Sequence, residues 1–105
     1  MAEDECFPNM ADLRAEIDRI DAELVELLAR RATCIDRAIA IKRRIALPAR
    51  IDSRVAEVLD RTRRAGAARG LEPAFVEGLW RSIIEWSIAR EERALDGSGG
   101  RDDGR

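Results

Sequence analysis

The chain has 105 residues, 46% of them apolar and 38% charged, with a net charge of −2, which suits one soluble domain and supplies no global basic field for nucleic acid. No apolar run approaches the length of a membrane span, and the opening "MAEDECFPNM" lacks the basic-then-apolar order of a signal peptide. With two cysteines and no histidine, the sequence assembles no metal-ligand cluster and no Cys/His or Ser/His pair, so no metal is expected, and a reducing cytoplasm is the expected compartment.

Residues 1–10 read as a flexible leader and 11–95 as the folded domain. From about Ala11 to Arg44, apolar residues recur at helical spacing without a breaker: Leu13, Ile17, Ile20, Leu24, Leu27, Leu28, Cys34, Ile35, Ala38 and Ile41. That is a rod of roughly 50 Å at about 1.5 Å per residue. "IALPARI", residues 45–51, is a loop centred on Pro48. Asp52 or Ser53 is expected to cap a second helix that buries Val55, Val58 and Leu59 and ends at Gly70. Pro73 opens a third helix carrying Phe75, Val76, Leu79, Trp80, Ile83, Ile84 and Ile88. Residues 96–105, "DGSGGRDDGR", are expected to be disordered. The fold class is therefore all-α, three helices per chain. A rod that long outruns the two shorter helices that must cover it, and a homodimer pairing two long helices repairs the deficit.

Eighteen of the nineteen basic residues are arginine, and the one lysine is Lys42. Advancing about 100° per residue, Arg31 falls within about 20° of Leu13, Ile20, Leu24 and Ala38. Lys42, eleven residues later, shares that azimuth roughly 16 Å along the axis. The stripe carries no carboxylate between them. Either both cations snorkel from its edge, or an anionic ligand offsets the cost of burying them. Arg14 lies about 100° from the stripe and some 25 Å from Arg31, within reach of the same ligand only across an antiparallel dimer. On the third helix, Ser87 and Glu91 continue the face of Trp80 and Ile84 one turn apart, either as a polar helix end or as part of a site.

The order and spacing of these residues resembles the all-helical class of chorismate mutases over about residues 11–94. The pattern is "LRAEIDRIDAELVELLARR", then Lys42, then "DSRV", then "IIEWSIAREE". The resemblance implies an intertwined helical homodimer with two active sites, each borrowing Arg14 from the other chain. It implies an isomerase that rearranges chorismate to prephenate in a pericyclic step without a cofactor, in aromatic amino acid biosynthesis. Arg14 and Arg31 would hold the substrate carboxylates, Arg54 would assist, Ser87 would contact substrate, and Lys42 would donate to the ether oxygen. Where the commonest pattern has a glutamine donor, this chain has Glu91, which must be protonated to donate. Val55 and Ile51 stand where acids are usual. The isochorismate-pyruvate lyases and the mutases of 4-amino-4-deoxychorismate share the fold and are the alternatives. "FVEGL", "IDRID" and the Arg54–Val55 pair look like the lyases, while Glu91 with Val55 fits the 4-amino relatives. A non-enzymatic helical interaction module predicts an inner face stripped of its cations, and all four, Arg14, Arg31, Lys42 and Arg54, are present.

Overall fold

A computed structural model of the chain describes residues 9–104, and side chains as far as Asp96. It is all-helical: α1 spans Met10–Ile45, α2 spans Asp52–Ala67 and α3 spans Pro73–Gly104. Most of the expected leader lies outside the described residues. Asn9, the first described residue, caps α1, with Oδ1 accepting the Asp12 N–H at 2.9 Å. The helix assigned to α3 runs to Gly104, through the residues for which disorder was expected.

The chain divides into two units, residues 1–34 and 35–105. The first, where described, is a single stretch of helix. Its apolar side is open: Ile17, Ile20, Leu24, Leu27 and Leu28 are all exposed.

The second unit holds the core. Ala49, Leu59, Ile84 and Ile88 are buried together, and Val55, Val58, Trp80 and Leu95 pack around them. Residues 35–45 of α1 are joined to α3 by polar contacts. Arg90 donates through Nε and Nη2 to the Asp36 carboxylate at 2.7 and 3.1 Å, and Arg43 Nη2 donates to the Ala94 carbonyl at 3.1 Å. The Arg90 guanidinium also lies 5.3 Å from the centroid of the exposed Trp86 ring.

α2 does not start on the expected side-chain cap. Ile51 is its N-cap, extended at φ −124° and ψ 105°, and no side chain satisfies the first turn. Asp52 instead sits inside that turn, where the helix dipole favours an acid. The helix ends at Ala67 rather than Gly70, and Gly70 takes the left-handed conformation (φ 84°) of the turn that follows. One glycine inside α2 matters more. Gly66 is buried, and a Cβ there would lie 2.6 Å from Cγ2 of Val76 on α3. Gly66→Ala gains about 1 kcal/mol of helix propensity but forces a clash with a stiff β-branched side chain, a class of overpacking that costs about 1–3 kcal/mol. The expected result is a lower thermal midpoint. In a Val76→Ala background the same substitution should become neutral or stabilising. A midpoint that rises in the wild-type background would rule the close approach out.

Candidate functional site

Lys42 is in the last turn of α1 and Glu91 is in the middle of α3. They are forty-nine positions apart in sequence, and Lys42 Nζ donates to Glu91 Oε1 at 2.6 Å. The two side chains are only 16% and 5% exposed. Lys42 Nζ also donates to the Ala49 carbonyl at 2.7 Å. The sequence stripe offers no carboxylate between Arg31 and Lys42, and the counter-charge comes from another helix, α3. An ammonium carries three N–H donors, and two are fixed by acceptors on different elements. The third is left to point at a ligand. In the free site the short contact from a cation makes Glu91 Oε1 an acceptor.

Ser87 is buried one turn before Glu91, and its hydroxyl donates to the Ile83 carbonyl at 2.9 Å. That back-bond to position i−4 is common for a serine inside a helix. Val55, on α2, is half-buried against the apolar core. Ile51 is half-buried, and its carbonyl accepts the N–H groups of Arg54 and Val55 at 3.0 and 3.1 Å. Arg54 itself is exposed and turned along its own helix, with Nη1 donating to Glu57 Oε1 at 2.8 Å. That hydrogen bond, and the charges of Arg54 and Arg61, hold the Glu57 carboxyl below its usual range. For Arg54 to reach a substrate it must leave Glu57, a small loss for an exposed pair one turn apart. Arg14 is exposed and Arg31 half-buried, both in the first unit.

The expected set is thus brought together in part. Lys42 and Glu91 meet in the second unit, with Ser87 buried one turn before Glu91, while Val55 packs against the apolar core and Arg54 is at the surface. Two contributors were missed in the sequence. The Ala49 carbonyl is a backbone group with no side-chain signature. Arg50, next to it, donates through Nη2 to Glu85 Oε1 at 2.6 Å. Among the described residues no group of three or more metal-ligating side chains is assembled, and no helix is long and apolar enough to cross a membrane.

Known proteins resemble this chain in sequence over most of its length. Residues 13–92 match the family described as chorismate mutase type II. An isochorismate pyruvate lyase of Pseudomonas aeruginosa is 41% identical over 83 residues, covering 78% of this chain and 80% of that protein. T-proteins of Enterobacter agglomerans and Haemophilus influenzae are 32% and 29% identical over 79 and 84 residues, 75% and 80% of this chain. The match spans only 21% and 22% of those longer proteins.

Proposed function

The chain belongs to the chorismate mutase type II family, and we propose that it is a chorismate mutase, rearranging chorismate to prephenate in a pericyclic step. The observation that carries this reading is the buried Lys42 ammonium, oriented by Glu91 and the Ala49 carbonyl with one donor left over. In the rearrangement the ether C–O bond breaks as a new C–C bond forms, and the ether oxygen becomes a ketone. No outside proton, electron pair or cofactor is consumed. The protein holds the compact conformer and stabilises the negative charge that gathers on the ether oxygen. Lys42 meets that charge. Arg31 and Arg54, with Arg14 of a second chain, receive the two carboxylates in bidentate geometry. Ser87 borders the substrate, and Ile51 and Val55 give it an apolar wall.

A second reading is favoured by the 41% identity to an isochorismate pyruvate lyase over most of both chains. There the same ether bond breaks, but a ring hydrogen moves to the enolpyruvyl methylene, releasing pyruvate and an aromatic ring. Lys42 would serve the same oxygen. Incubating the purified protein separately with chorismate, isochorismate and 4-amino-4-deoxychorismate, with products identified by NMR, separates these readings. Prephenate from chorismate at the highest kcat/KM supports the first. Pyruvate from isochorismate at higher kcat/KM replaces it with the second.

The exposed apolar side of residues 10–34 supports a homodimer in which the same stretch of a second chain covers it. Two long helices packed together remove Ile17, Ile20, Leu24 and Leu27 from water, each worth about 1.5–3 kcal/mol if fully buried. Mixing inactive Arg14→Ala with inactive Lys42→Gln chains under exchange conditions is expected to recover activity, up to about a quarter of wild type. Half of the dimers are then mixed, and each holds one site with both residues intact. A monomer by sedimentation, or no recovery despite demonstrated exchange, would falsify the shared site.

A further inference from the structure

Lys42 depends on a carbonyl in a loop, and the loop has no secondary structure of its own. At its start, Ala46 takes a left-handed φ of 61° and the Leu47 N–H donates back to the Lys42 carbonyl at 2.9 Å. At its end, the Ile51 carbonyl is tied into the first turn of α2. Between them Ala49 is buried in the core, and Arg50 reaches α3 to bond Glu85 at 2.6 Å. Glu85 precedes Glu91 by six residues, roughly 9 Å along the helix. α3 therefore holds the surroundings of Lys42 at two places: directly through Glu91, and through the loop by way of Glu85.

We propose that the Arg50–Glu85 ion pair is a positioning clamp for Lys42, fixing the loop against α3 so that the Ala49 carbonyl stays on the ammonium. Two acceptors on different elements set the direction of the third N–H. If the loop departs, Glu91 is the remaining strong acceptor, and the ammonium swings onto it and away from a substrate. The mutual hydrogen bond is the largest influence on both partners, holding the Glu85 carboxyl below its usual range and the Arg50 guanidinium above its own. Both side chains are about half exposed, so the clamp is screened by salt and its effect is moderate. Arg50 and Glu85 are positioning residues, and they act through Lys42.

This assignment rests on Lys42 being the charge-stabilising donor of the proposed reaction, and the test separates the two claims. Lys42 is the only lysine of the chain, so labelling with ¹³C,¹⁵N-lysine gives one side-chain signal, readable without substrate. Glu85→Gln and Arg50→Gln are each expected to shift and sharpen that signal toward a freely moving lysine. The charge-reversed pair Arg50→Glu/Glu85→Arg is expected to restore it. On turnover, each single variant should lower kcat about three- to fivefold, with KM within about twofold, and the reversed pair should recover most of the loss. A lysine signal unmoved by either single variant overturns the clamp, as does a reversed pair that behaves no better than the singles. A signal that moves and recovers while kcat stays constant upholds the clamp and removes Lys42 from the reaction.

Discussion

Lys42→Ala lowers kcat about 10²–10³-fold and also destabilises the fold. The first effect follows from removing one preorganised donor at a developing oxyanion, typically about 2.7–4 kcal/mol of barrier. The second follows from the structure and runs against the expectation for an unpaired buried cation. Glu91 is 5% exposed and accepts from Lys42. Deleting the ammonium leaves a buried carboxylate without its counter-charge, a loss of about 3–5 kcal/mol when one partner of a buried pair is removed. The two effects are separable. Lys42→Gln keeps an amide donor for Glu91 or the Ala49 carbonyl, so it should retain more of the stability while losing the positive charge at the ether oxygen. Urea denaturation and steady-state turnover measure both. If folded Lys42→Gln keeps wild-type kcat on the substrate the protein prefers, Lys42 serves the fold alone.

The helices were legible because their apolar residues repeat at helical spacing, and that signal is local. Leu13 to Ile41 draw one long helix, and the structure has one from Met10 to Ile45. The helix ends were less legible. Asn9 was assigned to the leader, yet it caps α1. Asp52 and Ser53 looked like caps, yet Ile51 takes that place because the loop reaches α2 already extended. The contact between Gly66 and Val76 had no signature, since close approach of two helices is decided by packing across ten residues of chain. The partner of Lys42 was hidden for the same reason, although a clue existed. Glu91 shares a helix face with Ile84, Ser87 and Ile88, all buried, and a carboxylate on a buried face calls for a cation. The resemblance to the mutase pattern placed Lys42 and Glu91 on opposite sides of one oxygen atom. It did not place them on each other.

Replacing Glu91 tests two electrostatic demands that conflict. In the free site, its oxygen accepts the Lys42 ammonium at 2.6 Å. In the reaction, the ether oxygen gains negative charge and the substrate already carries two carboxylates, so a donor opposite Lys42 suits that step. Glu91→Gln, a permanent donor of similar shape whose carbonyl still accepts from Lys42, should keep or raise turnover on chorismate. Glu91→Ala supplies neither donor nor acceptor, so it should lose about 10²–10³-fold in kcat. If Glu91→Gln folds and binds but is inactive at every pH, the negative charge itself is required. A carboxylate that must stay charged beside the substrate pairs with a cation on it, and the reading then moves from chorismate to its 4-amino analogue.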